Sequence, residues 1–280
     1  MRLIIRSLIV IVFIFLFFSC QSFPRGDSLS DLALPDNGNG QVSFSTVDLY
    51  RYFTLCRAVW REGDKWQKIG WALDYFYNEE TNTLGVFLLR EGVLHIAFRS
   101  SQAMESLVDL KYNSRIGLKK IPFIDNSGIR VFGGFLEKYM SIREEVHDRI
   151  ENSEVNRIIL VGHSGGGAMA SIAFLDLTHQ YPDINLKGVV FGPVRTYNKA
   201  GAKWFLEHQN NFIRIVNGRD MFSNLPPSIF GYRHVGRLIR MGSRPWYKIF
   251  SFKDHHPGYR IVLEDLLIQE GINPDQFPFY

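Results

Sequence analysis

Residues 157 to 170 read RIILVGHSGGGAMA, and no other stretch restricts the fold of this chain so tightly. The apolar run Ile158 to Val161 reads as a strand, and the residues from Gly165 onward read as a helix. Between them, Gly162-His163-Ser164-Gly165-Gly166 satisfies G-x-S-x-G, the pattern of a sharp strand-to-helix turn that exposes a serine. A serine in such a turn takes strained backbone angles, and the flanking positions must lack bulk so that strand and helix can approach. Its hydroxyl then projects from the sheet edge among backbone N–H groups at a helix N-terminus, where developing negative charge is favoured. The lysine of a phosphate-binding G-x-x-x-x-G-K-[ST] loop is missing from this glycine-rich segment.

The surrounding chain alternates short apolar runs with amphipathic ones. LGVFLLR and VLHIAFR read as strands joined by a tight turn at Glu91-Gly92. GGFLEKYMSIREEVHDRIEN carries Phe135, Tyr139, Ile142, Val146 and Ile150 at helical spacing, which predicts one helix with one buried face. Strands LKGVVFG and NFIRIVN follow the helix that starts at Gly165. Such alternation predicts an α/β domain with a mostly parallel central sheet flanked by helices.

A chain of 280 residues with 46% hydrophobic content can bury a large core. The formal net charge of +4 is too small a surplus to indicate a nucleic-acid partner. With Cys20 and Cys56 as its cysteines, the chain lacks a zinc-type ligand spacing, and no metal or organic cofactor is expected.

The N-terminus is of different material. MRLIIRSLIVIVFIFLFFSC sets Arg2 and Arg6 before an uncharged apolar run, the pattern of a secretory signal over residues 1–19. Ser19-Cys20 resembles the lipobox of bacterial lipoproteins, which implies lipidation at Cys20 and a membrane-anchored protein of the cell envelope. An ordinary cleaved signal, giving a secreted or periplasmic protein, is the alternative, as is an uncleaved anchor. Residues 20–43, rich in Ser, Asp, Asn, Gly and Pro, read as a flexible tether, and a single domain is expected over 44–280.

A serine hydroxyl is a weak nucleophile until a base takes its proton, so the turn calls for an acid and a histidine farther along the chain. Asp220 follows the strand in FIRIVNGRDMFSNLPP, and His255 and His256 stand in KDHHPGY. HIAFRSS, VFGGF, VGHSGGG, RIVNGRDMFSNLPP, GYRHVG and HPGY occur in the order found in class 3 lipases, and the chain resembles that family from about Phe44 to Tyr259.

The resemblance implies an α/β-hydrolase fold and hydrolysis of lipid esters through Ser164, Asp220 and His256, with His255 the close alternative for the base. It places the oxyanion hole at Ser101 and Gly165. Two positions depart from the family: Phe98-Arg99-Ser100-Ser101 has serine where glycine is common, and Gly165 replaces a usual leucine, which predicts an acyl pocket short of one wall. His234 in GYRHVG matches a recurring family position read as structural.

Between Asp220 and Asp254 there is no acidic residue, while basic residues interleave with Phe230, Tyr232, Trp246, Tyr247, Phe250 and Phe252. Segment 230–253 therefore suits contact with an anionic membrane surface, a core role for the aromatics being the competing account. A catalytically silent binding protein of the cell envelope on the same fold is the alternative to the hydrolase.

Overall fold

A computed structural model of the chain describes residues 27–28, 44–59, 71–101, 106–125, 127–208, 210–243 and 251–276. The N-terminal signal region and Cys20 lie outside the described residues, as do positions 244–250 of the basic and aromatic segment.

The strands, numbered in chain order, are β1 (Asp27–Ser28), β2 (Asp74–Asn78), β3 (Thr83–Arg90), β4 (Val93–Phe98), β5 (Leu118–Lys120), β6 (Arg130–Phe132), β7 (Arg157–His163), β8 (Asn185–Phe191), β9 (Phe212–Asn217) and β10 (Arg237–Met241). The helices are α1 (Thr46–Ala58), α2 (Leu107–Asn113), α3 (Gly133–Met140), α4 (Arg143–Glu151), α5 (Gly165–Gln180), α6 (Lys199–Glu207), α7 (Phe252–His255) and α8 (Gly258–Gln269).

One eight-stranded sheet has the order β1-β10-β9-β8-β7-β4-β3-β2. From β1 to β4 the neighbours run parallel, and β3 and β2 add two antiparallel strands at the far side. The mostly parallel sheet expected from the alternation is thus present. At the β3–β4 hairpin Glu91 and Gly92 both take positive φ, 51° and 72°, the pair of left-handed residues that a two-residue turn needs.

Side chains of β7 are buried alternately in two separate cores, Ile158 and Leu160 on one face and Ile159 and Val161 on the other. The first core takes in Phe135, Tyr139 and the apolar residues of α5; the second is closed by Leu49 and Phe53 of α1 and Leu263 and Leu267 of α8. A parallel strand covered on both faces has no solvated side, which explains why RIILVG is an unbroken apolar run.

One expectation is corrected. The helix predicted over 133–152 is two helices, because Ser141 leaves the ladder: its carbonyl accepts from Asn78 Nδ2 at 3.3 Å and its hydroxyl pairs with Thr81 Oγ1 at 2.7 Å. The β2–β3 turn captures that residue, and the apolar face continues across the break, with Tyr139, Ile142 and Val146 all buried. Within the span 20–43, Asp27 and Ser28 pair with Ile239 and Arg240 as an edge strand. A periodicity argument has no purchase on a two-residue strand, whose pairing is set by the unpaired backbone edge of β10.

Candidate active site

Ser164 links β7 to α5 with φ 55° and ψ −122°, a conformation strained for any residue but glycine. The two outer glycines are required by space. A Cβ on Gly162 would lie 2.3 Å from the carbonyl oxygen of Gly166, and one on Gly166 would lie 2.2 Å from that of Phe98. The Ser164 amide donates to the Phe191 carbonyl at 2.9 Å, and its carbonyl accepts from Ala168 as α5 begins. The strand therefore turns at Ser164 in the tight form that the pentapeptide implies.

Asp220 follows β9 and is 1% exposed. Its Oδ2 accepts from His255 Nδ1 at 2.8 Å and from the Tyr259 hydroxyl at 2.8 Å, and its Oδ1 accepts from the Phe222 amide at 2.9 Å. Because a carboxylate only accepts, Nδ1 of His255 is the donor of that hydrogen bond. The His255 imidazole lies 4.5 Å, centroid to centroid, from the ring of His163, the residue before Ser164, and 4.4 Å from the ring of Phe222. Burial, with His255 and His256 adding to it, holds the His163 ring well below the usual histidine range, so His255 stacks on a neutral neighbour.

The expected partner of Asp220 was His256, and the structure places it elsewhere. His256 is exposed, and its Nε2 accepts from Arg57 NH1 at 3.1 Å. Partial desolvation of the ring, then the Arg57 charge, lowers its affinity for a proton. Local helix phase decides between the adjacent rings. Ser251 caps the short helix α7 by accepting from the Asp254 amide at 3.1 Å and donating to Asp254 Oδ1 at 2.7 Å. Asp254 Oδ2 also accepts from the Arg219 amide at 2.7 Å, which ties the turn to the loop carrying Asp220. His255, on the last position of α7, then faces inward. Ser251-Phe-Lys-Asp254 is a capping-box spacing, the signal that fixes the phase of the HH pair.

At the other side of the elbow, Ser101 follows β4. A small cavity is lined by Ser101, Gly165 and Phe135 together with the buried Arg99, Asp109 and Lys138. The two candidate oxyanion-hole residues therefore meet, a Cβ on Gly165 being 3.2 Å from Ser101 Cβ. The same Cβ would lie 3.0 Å from Phe135 Cε1. Gly165 thus makes room for the Phe135 ring of α3, and both line the cavity.

Beneath this loop sits a buried ionic cluster. Lys138 Nζ pairs with Asp109 Oδ1 and donates to the Thr81 carbonyl at 2.8 Å. Arg99 lies 4.0 Å from Asp109 and donates to the Asn82 carbonyl at 2.6 Å. Neither Lys138 nor Asn113, which donates to Ser101 Oγ at 2.7 Å, stands out in sequence. A lysine on an amphipathic helix and an asparagine at a helix end normally face solvent.

His234 is half-buried, and its Nε2 donates to the Ser223 carbonyl at 2.5 Å. Within segment 230–253, Phe230 and Phe252 are 48% and 62% exposed, whereas Tyr232 belongs to the core.

The family model for Lipase (class 3) matches residues 95–230. The secreted mono- and diacylglycerol lipase LIP4 of Malassezia restricta is 32% identical over 138 residues, which cover 47% of this chain and 46% of that protein. A lipase of Rhizopus niveus is 26% identical over 236 residues, covering 75% of this chain and 58% of its own length. The chain therefore spans only about half the length of these curated relatives. The crystal structure of a lipase from Rhizopus microsporus var. chinensis superposes with a TM-score of 0.58 at 22% identity, covering 87% of this chain and 96% of that one. That likeness shows an α/β-hydrolase fold. Residues 95–230, from the strand before the candidate oxyanion loop to the segment beyond the candidate acid, are thus similar to the class 3 lipase family.

Proposed function

We propose that this chain is a serine-dependent carboxylic ester hydrolase acting on lipid esters. The observation that carries the reading is the His255–Asp220 pair, held at 2.8 Å and stacked against the residue that precedes the strained Ser164. His255 Nε2 takes the Ser164 proton as Oγ attacks the ester carbonyl, and Asp220 holds the imidazole and stabilises its charged form. The Gly165 amide and Ser101 donate to the oxygen of the tetrahedral intermediate. The imidazolium then protonates the departing alcohol, and a water activated by the same ring releases the acid from the acyl-enzyme.

Export of the chain is supported by Arg2, Arg6 and the apolar run that ends at Ser19-Cys20, and the Malassezia restricta relative is described as secreted. Acylation of Cys20 would hold the enzyme at a membrane beside its substrate, and the exposed Phe230 and Phe252 would meet the lipid surface. Acyl chains added to Cys20 are read by labelling the full chain with a fatty-acid analogue, the Cys20→Ser variant being unlabelled. Mono-, di- and triacylglycerols and phospholipids fit the reading.

The deciding experiment compares the parent and Ser164→Ala on a short nitrophenyl ester and on a fluorophosphonate probe. The proposal expects turnover to fall by roughly four or more orders of magnitude and labelling to vanish while the melting temperature holds. An unlabelled, inactive parent would favour a silent binding protein.

A further inference from the structure

Ser101 has one hydroxyl proton and two lone pairs, and only the proton can serve an anion. Asn113, the last residue of α2, points its Nδ2 at Ser101 Oγ from 2.7 Å, and it is the hydroxyl's hydrogen-bond partner among the described residues. A lone pair is thereby occupied, and the proton is left to turn into the cavity that Ser101 shares with Gly165. Asn113 Oδ1 is buried without a partner among the described residues, so the amide bonds there through Nδ2.

The placement of Asn113 is fixed by charge. Asp109, one helical turn earlier on α2, is wholly buried and bound by Lys138 from α3, with Arg99 from the end of β4 close by. Ser106 caps the same helix, accepting from the Asp109 amide at 3.2 Å. The exit from α2 is bonded to α3, the Gly133 amide donating to the Gly117 carbonyl at 2.9 Å and the Gly134 amide to the Arg115 carbonyl at 3.2 Å. A short helix clamped at both ends can hold one amide to a fixed direction.

We infer that Asn113 is a positioning residue that orients the Ser101 hydroxyl as an oxyanion donor. The inference rests on the ester-hydrolase reading. An interaction made only with the developing oxyanion lowers kcat when lost and leaves KM nearly unchanged.

The test is a double-mutant cycle on a short nitrophenyl ester. Asn113→Asp keeps the shape but offers only acceptors, so it captures the Ser101 proton. It is expected to lower kcat by about 10²-fold, similar to Ser101→Ala, with KM within about twofold. The Ser101→Ala/Asn113→Asp double variant should be no slower than Ser101→Ala, because nothing remains to orient. Asn113→Ala, which frees the hydroxyl to rotate, should lose roughly tenfold in kcat and serves if the aspartate variant does not fold. The inference is overturned if either folded variant keeps kcat within twofold of the parent, if the loss falls on KM, or if it multiplies with that of Ser101→Ala. The hydrolase reading fails separately, through an inactive parent or an active Ser164→Ala, and takes this inference with it.

Discussion

His255 Nδ1 lies 2.8 Å from Asp220 Oδ2, whereas His256, the next residue, directs its Nε2 to Arg57 at 3.1 Å. Two adjacent imidazoles thus have opposite surroundings: one is buried against a carboxylate and the other is exposed beside a guanidinium. His255→Ala is expected to lower kcat/KM on a nitrophenyl ester by several orders of magnitude, and His256→Ala by less than about tenfold. The reverse pattern would return the base to His256.

Gly166→Ala tests the geometry of the elbow. The added carbon would meet the Phe98 backbone oxygen at 2.2 Å, and backbone cannot swing aside as a side chain can. Overpacking of this kind costs about 1–3 kcal/mol or more, so the melting temperature should fall and activity should be lost with it. An unchanged melting temperature would mean that α5 does not press on β4 so closely.

Lys138→Met should destabilise the protein by about 3–5 kcal/mol in urea unfolding, because it removes the nearer countercharge of the buried Asp109 carboxylate and leaves Arg99 at 4.0 Å. Burial already lowers the proton affinity of Lys138. Replacing both partners, as Lys138→Met/Asp109→Leu, removes the buried carboxylate as well and should recover part of the loss. A double variant no better than the single would show that the lysine stem, and not its charge pair, supports the site.

Stability should fall as the solution is acidified. Burial, followed for His163 by the neighbouring His255 and His256 and for His234 by Arg214 and Arg195, holds both rings well below the usual value of 6.5, so both stay neutral in the folded chain. In the unfolded chain they take up protons as pH drops through about 6.5. The unfolded state then binds more protons, and stability present above that pH is lost below it, at up to about 1.4 kcal/mol per pH unit for each ring. Urea midpoints measured between pH 7.5 and 5 should show this slope, and His234→Gln should make it shallower. An unaltered slope would exclude His234 as a contributor.

How far the site was legible depends on how local each requirement is. The turn at Ser164 is written in five consecutive residues, since its strain and close approaches arise between neighbours such as Gly162 and Gly166. The strands β3, β4, β7, β8 and β9 were readable from runs of apolar residues, because burial of a strand needs only a matching local pattern. Asp220 is likewise anchored by adjacent chain, its Oδ1 taking the Phe222 amide.

The partner of that carboxylate is another matter. Asp220 and His255 are 35 residues apart, and which ring of the HH pair turns inward follows from the phase of α7, its cap and the tie from Asp254 to Arg219. Ser141 breaks a helix because a turn elsewhere in the chain binds it, and Asn113 matters because α2 is clamped over Ser101 by Lys138. By itself, then, the sequence determined the strand order of apolar runs, the elbow and its serine, each settled by contacts along a few residues. Only the tertiary structure decided which histidine meets Asp220, the contact of Phe135 with Gly165 and the approach of Asn113 to Ser101. These depend on directions in space between segments far apart in the chain, which no local spacing encodes.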